Sequence, residues 1–384
     1  MAFPRVFAVL AAVMALVVGC GHSSERPKSA PATSAAQPIP PARPACGDPA
    51  AMVAAMSTRD KLAQLLMVGV RDGDDAKAVV ADHHVGGIFI GSWTDLSMLT
   101  NGSVKNLAAS TALPVAISVD EEGGRVARLS SLIGPAPSPR VLAQTHTADE
   151  VYGIALDRGH RMRGLGITID FAPVVDVTNA PDNTVIGDRS FSSDPAVVTA
   201  YAGAYARGLR DAGLLPVLKH FPGHGHGSGD SHTGGVTTPP LDQLQNDDLV
   251  PYRSLVSAAP VGVMVGHLQV PGLTGDQPAS LSKAAVQLLR TGTGYKGPAF
   301  DGPVFSDDLS SMAAINQHYS VPEAVLRTLQ AGTDIALWVT TDEVPAVLDR
   351  MEKALAAGEL TMSAVDASVL RVAKVKGPKP DCGP

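Results

Sequence analysis

The sequence predicts an α/β fold in which residues 46–384 form a single (β/α)₈ TIM barrel. Eight short apolar runs rich in Val, Ile and Leu recur along the chain, and helical stretches separate them. The runs do not alternate apolar with polar residues, which is typical of parallel strands buried on both faces. Eight alternations of strand and helix are the pattern of a closed barrel. A doubly wound open sheet is the alternative, and it would require a switch point with a phosphate- or nucleotide-binding loop.

The predicted strands are, in chain order, LAQLLMVGV, VGGIFIG, PVAISVD, GITIDFAPVVDV, LLPVLKHF, VGVMVGH, GPVFSDD and TDIALWV. The clearest amphipathic segments between them are DPAAMVAAMSTRDKLAQLL, AVVTAYAGAYARGLRDAG, VPEAVLRTLQAG and VPAVLDRMEKALAAG. Several of these segments end at glycine, as helix C-termini commonly do.

The N-terminal residues are predicted to be a signal peptide and a tether. Arg5 precedes the uncharged run VFAVLAAVMALVVG, which is too short for a comfortable membrane span. The sequence VVGC at residues 17–20 resembles a bacterial lipobox, so we expect removal of residues 1–19 and acylation of Cys20. Residues 20–45 are rich in Ser, Pro and Ala and are expected to be disordered. The protein would then be lipid-anchored on the outer face of the bacterial cytoplasmic membrane; a plain secretory signal is the alternative.

Cys46 and Cys382 lie at the two ends of the predicted barrel. An exported chain meets an oxidising environment, which favours a disulfide between them; two unrelated thiols are the alternative. The formal net charge is −7, and aromatic residues make up 4% of the chain. With no basic run, this composition argues against nucleic acid as a partner.

Polar residues follow or end five of the predicted strands, and in such a barrel the carboxyl ends of the strands form the active-site mouth. These residues are Asp120, Asp176, Lys219 with His220, His267, and Asp307 with Asp308. Each surrounding motif has an ordinary structural interpretation when it is taken alone. SVDEEGGRVARL resembles a charged turn, IGDRSF a surface ion pair, KHFPGHGHGSGDSH a flexible loop, and VFSDDLSSM a helix N-cap.

Taken together, the motifs resemble the glycoside hydrolase family 3 β-N-acetylglucosaminidases, the NagZ-type enzymes of peptidoglycan turnover, and are very similar to mycobacterial lipoprotein members of that group. The resemblance covers nearly the whole predicted barrel and follows the family's order: VGGIFI, SVDEEGGRVARL, GITIDFAPVVDV, IGDRSF, LKHFPGHG with DSH downstream, PASLS and FSDDLSSM. The chain ends soon after its eighth helix, so we expect no second α/β domain and a site formed by the barrel alone.

The resemblance implies a retaining exo-β-N-acetylglucosaminidase that removes terminal GlcNAc from GlcNAc-β-1,4-MurNAc cell-wall fragments, with no cofactor and no metal. Asp307 occupies the position of the nucleophile, and Asp308 is the second choice. His232 occupies the position of the acid/base group, and Asp230 the position of the carboxylate that orients it. Such a carboxylate fixes the histidine tautomer and stabilises the imidazolium. Glycines 223, 225, 227 and 229 are expected to let this loop move.

The resemblance also implies which side chains hold the sugar. These are Asp120, Arg128, Arg189, Lys219 and His220, with His267 and Met312 as further pocket-lining residues. His224 is expected to fix the loop, and no role is predicted for His226. Two segments, IGSWTDLSMLTNG and RTGTGYKGPAFDG, depart from the family pattern and are expected to reshape the outer subsites.

Three alternatives remain open at the level of sequence. The HGHGSGDSH segment superficially matches the HxHxDH signature of a zinc hydrolase, although its spacing differs and a catalytic zinc needs further ligands. A sugar-binding lipoprotein without turnover would retain the barrel but would not need the acid/base pair. Phosphorolysis could accompany hydrolysis, because a histidine repels phosphate less than a carboxylate does.

Overall fold

Eight parallel strands form the centre of the computed structural model, which describes residues 49–107, 113–258 and 260–376. The predictions for residues 1–45 and for Cys20, Cys46 and Cys382 lie outside these residues. The strands are β1 Leu66–Gly69, β2 Gly87–Ile90, β3 Ala116–Val119, β4 Ile169–Asp170, β5 Leu215–Phe221, β6 Gly262–Val265, β7 Val304–Ser306 and β8 Ala336–Trp338. Each lies within one of the eight predicted runs, so the predicted strand series is confirmed.

The strands follow the order β7-β6-β5-β4-β3-β2-β1-β8, and every neighbouring pair is parallel. A parallel bridge between Phe305 of β7 and Ile335, just before β8, links the two ends of this series. The Ser306 N–H also donates to the Ile335 carbonyl at 2.9 Å. The sheet is therefore a nearly closed barrel, and the open-sheet alternative does not describe it.

Helices lie before the first strand, between the strands and after the last one. Their bounds are Pro49–Ala55, Thr58–Ala63, Gly73–His83, Ser97–Thr100, Ser103–Leu107, Ser130–Ile133, Pro139–Thr145, Ala148–Gly164, Pro195–Asp211, Leu241–Leu244, Tyr252–Leu255, Lys283–Thr291, Ala313–Asn316, Val321–Ala331, Val344–Ala356 and Met362–Lys376. Short 3₁₀ turns occupy Gly187–Arg189, Ala279–Leu281 and Thr293–Tyr295. Small two-stranded pairs join Glu121–Gly123 with Val126–Ala127 and Val236–Thr237 with Leu268–Gln269. Within the described ranges, no helix is long and apolar enough to cross a membrane.

Two helical segments differ from the sequence prediction. The first predicted helix is interrupted at Ser57, whose hydroxyl accepts the Asp60 N–H and caps a second helix, Thr58–Ala63. The long helix Ala148–Gly164 was not singled out from sequence, although Thr147 and Glu150 form a capping box at its start. That Thr-x-x-Glu pattern is a recognised signal for a helix N-terminus.

Apolar side chains fill both faces of the sheet, as the uninterrupted apolar strands predicted. The larger core lies between the strands and the surrounding helices, and a smaller one fills the barrel interior. In the interior, Phe171 packs between Phe89 and Phe305, with ring centroids 5.9 and 5.5 Å apart. Val372 of the final helix belongs to the same interior cluster. Phe89 and Phe171 also line the cavity described next, so the barrel core supports its base.

Candidate active site

A cavity of about 440 Å³ lies at the carboxyl ends of the barrel strands. Every residue predicted to act in catalysis or sugar binding lines it, except His267; they are Asp120, Arg128, Arg189, Lys219, His220, Asp230, His232, Asp307 and Met312. The structure therefore brings together groups that are distant in sequence, as the barrel argument predicted. Arg128 also lines the cavity, and its buried Nε has no hydrogen-bond partner among the described residues.

A buried network of cations and carboxylates forms one wall of the cavity. Lys219 Nζ lies 2.6 Å from Asp120 Oδ1 and 2.6 Å from Glu122 Oε1. Arg189 donates two hydrogen bonds to the same Glu122 carboxylate, at 2.8 and 2.9 Å. The Glu122 side chain is fully buried, and burial alone would raise its pKa. Arg189 and Lys219 overcome that effect and hold the pKa of Glu122 well below its usual range.

The same network keeps the two cations charged. Burial disfavours a charged ammonium, but Asp120 and Glu122 raise the pKa of Lys219 above its usual value. Glu122 likewise raises the pKa of Arg189 against the effect of burial. Both donors are therefore fixed in position and fully charged at the cavity surface, where they suit hydroxyl and carbonyl oxygens of a ligand.

An irregularity in β5 allows consecutive residues to reach the cavity. In a regular strand, neighbouring side chains point to opposite faces. The register of β5 against β6 shifts between Leu218 and Phe221, where three steps along β5 match two along β6. Such a bulge re-aims side chains, and Lys219 and His220 both line the cavity.

Asp176 holds two of the histidines. Its carboxylate lies 2.7 Å from His220 Nδ1 and also accepts the backbone N–H groups of His220 and His224, at 3.2 and 2.7 Å. Burial would raise the pKa of Asp176, but His220 and His224 lower it. The Asp176 carboxylate thus orients the His220 ring through Nδ1, and Nε2 lies 3.5 Å from a guanidinium nitrogen of Arg189.

Asp307 lies directly after β7, with its N–H donating to the Val265 carbonyl at 3.1 Å. Its Oδ1 accepts the Asp308 N–H at 2.9 Å. Burial raises the pKa of Asp307, but His267, His220, the Asp308 N–H and Lys219 together lower it to about 2. Asp307 is thus an ionised carboxylate at neutral pH, which is the state that a nucleophile requires.

Asp308 is occupied by its own turn. Its Oδ1 accepts the N–H and hydroxyl of Ser310 at 2.8 and 2.9 Å, and its Oδ2 accepts the N–H of Ser311 at 3.1 Å and the Ser311 hydroxyl. Both oxygens therefore stabilise the backbone after β7. Of the two adjacent carboxylates, Asp307 is the one with free acceptor capacity.

His267 is the predicted site residue that the structure places elsewhere. It is buried, its Nδ1 lies 2.7 Å from the Ser280 hydroxyl, and its Nε2 lies 2.7 Å from the Asp308 carbonyl. With both ring nitrogens engaged, His267 has no free group for a sugar. Its position supports the backbone beside Asp307 instead of lining the pocket.

His232 lies on the loop of residues 222–238, here called the catalytic loop. Its Nδ1 is 2.6 Å from Asp230 Oδ1, and the same oxygen accepts the His232 N–H at 2.9 Å. The His232 side chain is 57% exposed, so its other nitrogen can reach a ligand. Burial raises the pKa of Asp230, but the two contacts from His232 outweigh it and lower that pKa. The pair therefore has the arrangement of an oriented acid/base histidine.

Backbone hydrogen bonds fix the catalytic loop above Asp307. The N–H groups of Ala313 and Ala314 donate to the carbonyls of His232 and Ser231, at 3.3 and 3.2 Å. These donors begin the helix that follows the Asp307 segment. The loop that carries His232 is thereby bonded to the helix that follows Asp307 in the chain.

The loop glycines have different roles from one another. A Cβ on Gly225 would lie 2.0 Å from the Val177 carbonyl oxygen, and one on Gly223 would lie 2.3 Å from the Asp248 Cβ. Gly223 also has a φ of 130°, which favours glycine. Gly229 has no neighbour within 4 Å of an added Cβ. Gly225 and Gly223 thus permit close packing at the base of the loop, whereas Gly229 lies in open space.

The histidines of the HGHGSGDSH segment have separate partners. His224 lies against Asp176 and Ser231, and His232 against Asp230. His226 Nδ1 lies 2.9 Å from Asp248, so His226 anchors the loop although no role was predicted for it. Within the described ranges, the group with metal-ligand geometry is His226 with Asp247 and Asp248, which is not the HxHxDH set considered from sequence.

Sequence reasoning missed Glu122, the carboxylate that organises the sugar-facing cations. A signal was present, because two buried cations require an anion and SVDEEGG supplies one beside Asp120. Arg125 of the same motif donates to the backbone carbonyls of Asp182, Thr184 and Val185 and so holds the cavity-lining loop.

Comparison with known proteins agrees with this geometry. Residues 57–375 match the N-terminal domain of glycosyl hydrolase family 3. The chain belongs to glycoside hydrolase family 3. It is therefore a glycoside hydrolase, and the family 3 resemblance seen in the sequence is confirmed.

The protein is similar to individual family 3 members along most of its length. It is 70% identical over 390 residues to beta-hexosaminidase LpqI of Mycobacterium tuberculosis, with 100% of both chains covered. The solved structure of M. tuberculosis LpqI matches with a TM-score of 0.87 at 73% identity, covering 88% of this chain and 98% of that one. A family 3 β-N-acetylglucosaminidase from Paenibacillus matches with a TM-score of 0.78 at 32% identity, covering 84% of this chain and 62% of that one.

Glu122→Gln is expected to lower kcat/KM for 4-nitrophenyl β-N-acetylglucosaminide by roughly 100-fold, which corresponds to about 3 kcal/mol. The amide keeps the shape of the carboxylate but cannot pair with Lys219 and Arg189 together. Glu323→Gln, which alters a half-buried carboxylate paired with Arg327 and Arg350 away from the cavity, is the control and should leave kcat/KM unchanged. A Glu122→Gln variant with wild-type kcat/KM would contradict this account.

Gly225→Ala is expected to reduce kcat/KM by about tenfold or more. The added methyl would clash with the Val177 carbonyl oxygen and displace the base of the catalytic loop. Gly229→Ala, where the methyl meets open space, should stay within about twofold of wild type. Steady-state kinetics of both variants tests the assignment. If Gly229→Ala is the more damaging change, free backbone motion at the tip matters more than close packing at the base.

Proposed function

We propose that the protein is a retaining exo-β-N-acetylglucosaminidase, and thus a β-hexosaminidase, that releases terminal GlcNAc from cell-wall fragments containing GlcNAc-β-1,4-MurNAc. The observation that carries the proposal is one cavity holding an ionised Asp307 on a strand and the oriented pair Asp230 and His232 on the facing loop. The β-hexosaminidase name of the 70% identical relative supports the sugar class. The role would be peptidoglycan turnover and recycling.

In the first step, Asp307 attacks the anomeric carbon of the bound GlcNAc. A bond forms between a carboxylate oxygen and that carbon while the glycosidic bond breaks, and His232 gives a proton to the departing oxygen. The product of this step is a covalent glycosyl-enzyme. Because the pKa of Asp307 is about 2, the carboxylate needs no deprotonation at neutral pH.

In the second step, water displaces Asp307 from the anomeric carbon. His232, now neutral, accepts a proton from the water as it attacks, and the sugar leaves with its original configuration. Asp230 stabilises the imidazolium form in each step without taking the proton itself. A histidine on a loop can serve both steps because imidazole gains and loses protons near neutral pH.

The buried network would hold the terminal sugar during both steps. Asp120, Lys219 and Arg189 present charged acceptors and donors on one wall, and Arg128 adds a further cation to the lining. Hydrogen bonds from charged groups are stronger than neutral ones, and leaving them unpaired is costly. Sugars without the matching hydroxyl and amide groups should therefore be rejected.

We also propose that the enzyme acts on the outer face of the cytoplasmic membrane, anchored through acylated Cys20. The support is the lipobox-like VVGC sequence followed by the Ser, Pro and Ala rich segment. An enzyme held there would meet cell-wall fragments directly.

Asp307→Ala is expected to lose more than about 1,000-fold in kcat on 4-nitrophenyl β-N-acetylglucosaminide, because the nucleophile is absent. His232→Ala should lower kcat about 100-fold or more. 4-Nitrophenolate leaves in the first step with little protonation, but the water of the second step still needs a base. Release of 4-nitrophenol measures both. Asp242→Ala, outside the cavity, is the control and should turn over normally.

The same assay separates the competing functions. A wild-type protein that is inert with or without phosphate would indicate a sugar-binding module, and activity lost on exhaustive chelation would indicate a metallohydrolase. Appearance of a sugar 1-phosphate only when phosphate is present would show phosphorolysis. Full activity in Asp307→Ala would refute the proposed nucleophile.

Cys20→Ala is expected to abolish incorporation of labelled palmitate in cells and to release the protein from the membrane fraction, because the acylated thiol is gone. The glycosidase activity of the released protein should be unchanged. Unaltered labelling in Cys20→Ala would contradict the proposed anchor.

A further inference from the structure

Trp93 is an exposed aromatic side chain at the edge of the catalytic cavity. The chain has two tryptophans, and the other one, Trp338, is fully buried. Trp93 is 46% exposed, yet it lines the same cavity as Asp307 and His232. A large exposed ring beside a catalytic centre calls for a functional explanation, because burying it would be favourable. None of the steps proposed above uses it.

The turn that carries Trp93 is fixed by hydrogen bonds. The Thr94 hydroxyl is buried, donates to the Val70 carbonyl at 2.7 Å and accepts the Gly91 N–H at 3.0 Å. The Asp95 N–H donates to the Arg71 carbonyl at 2.7 Å. These contacts tie the turn after β2 to the end of β1. The backbone that carries Trp93 is thus fixed before any ligand binds, which lowers the entropic cost of binding.

The backbone at Gly91 packs closely against the indole of Trp93. A Cβ on Gly91 would lie 2.3 to 2.5 Å from atoms of the six-membered ring of Trp93. The Trp93 ring centroid is 6.0 Å from that of Phe89, which is buried beneath the cavity. Part of the indole therefore rests on the protein, and the remaining surface is available to a ligand.

A second cavity of about 250 Å³ adjoins the catalytic one at this point. Trp93 and Val339 line both cavities. The second also contains Arg71 with Asp75 at 3.0 Å and Asp342 at 4.0 Å. Together these side chains offer hydrogen-bond donors and acceptors to hydroxyl and amide groups. A ligand that extends from the catalytic cavity over Trp93 would reach this second cavity.

We propose that Trp93 is the stacking platform for the sugar ring on the leaving-group side of the scissile bond, and that the second cavity receives the substituents of that ring. This inference rests on the proposed glycosidase function. An exo-acting enzyme encloses the terminal sugar, so its leaving group must lie at the mouth. A β-linked pyranose presents an apolar C–H face, and aromatic rings supply apolar contact area at low conformational-entropy cost.

The test compares two substrates that share the terminal sugar. Chitobiose has a sugar leaving group that reaches Trp93, whereas β-N-acetylglucosaminyl fluoride has a leaving group of one atom. Because kcat/KM reports events up to the first bond cleavage, slow release of the glycosyl-enzyme does not mask the effect. Trp93→Ala should lower kcat/KM for chitobiose about tenfold and leave the fluoride within about twofold.

Two further variants make the comparison specific. Trp93→Phe keeps a ring and should retain most of the chitobiose activity, whereas Leu132→Ala removes an exposed apolar side chain from another surface and should change neither substrate. If Trp93→Ala lowers kcat/KM equally for both substrates, or does not lower it for chitobiose, Trp93 is not the stacking platform for the leaving-group sugar. If the wild type hydrolyses the fluoride but not chitobiose, the proposed role of Trp93 is wrong while the glycosidase function stands. If the wild type hydrolyses neither substrate, the proposed function itself is wrong.

A binding measurement supplies an independent readout. Because Trp93 is the exposed tryptophan of the two, acrylamide quenching of intrinsic fluorescence reports mainly on it. In the Asp307→Ala variant, chitobiose should protect this fluorescence, and saturating GlcNAc, which fills only the enclosed site, should not. Equal protection by both ligands, or protection by neither, would contradict stacking of the leaving-group sugar on Trp93.

Discussion

The buried carboxylate of Glu122 is the interaction on which the sugar-facing wall depends. Lys219 and Arg189 approach the cavity from β5 and from the turn at Gly187–Arg189, and both pair with this one anion. Without it, two cations would be buried within a short distance of each other with too little compensation. Buried ion pairs seldom stabilise a fold relative to apolar packing, so the cost of assembling this one indicates a role in ligand binding. The network fixes hydrogen-bond donors and acceptors before the sugar arrives, so little reorganisation of these side chains is needed when it binds.

The two proposed catalytic groups lie on elements of different rigidity. Asp307 follows a barrel strand, its backbone is bonded to Val265, and His267 and the Asp308 turn support it. His232 lies on a glycine-containing loop that is packed tightly at Gly225 and open at Gly229. A fixed nucleophile keeps the anomeric carbon within reach. A loop-borne histidine can adjust between the leaving oxygen in one step and the attacking water in the next.

Sequence alone predicted most of the architecture and much of the site. Short apolar runs with helices between them indicate the barrel, because period and length are local properties of the chain. The positions of Asp307, His232 and Lys219 followed from strand ends and from family resemblance. The pairing of Glu122, the engagement of both His267 nitrogens and the contact of Gly225 with Val177 are tertiary facts. No local pattern encodes them, since each depends on which segments the closed barrel brings together. The same holds for Trp93. The sequence shows that its segment, IGSWTDLSMLTNG, departs from the family pattern, but not that Trp93 lines two cavities.

The central claim is that Asp307 forms a covalent bond to the sugar. The most direct measurement is mass spectrometry of the protein after reaction with 5-fluoro-β-N-acetylglucosaminyl fluoride, which slows the second displacement so that the glycosyl-enzyme accumulates. The account predicts one added sugar, located by fragmentation on Asp307 within the segment VFSDDLSSM. Steady turnover with no added mass, or a sugar located on Asp308 or on a residue outside the cavity, would contradict it.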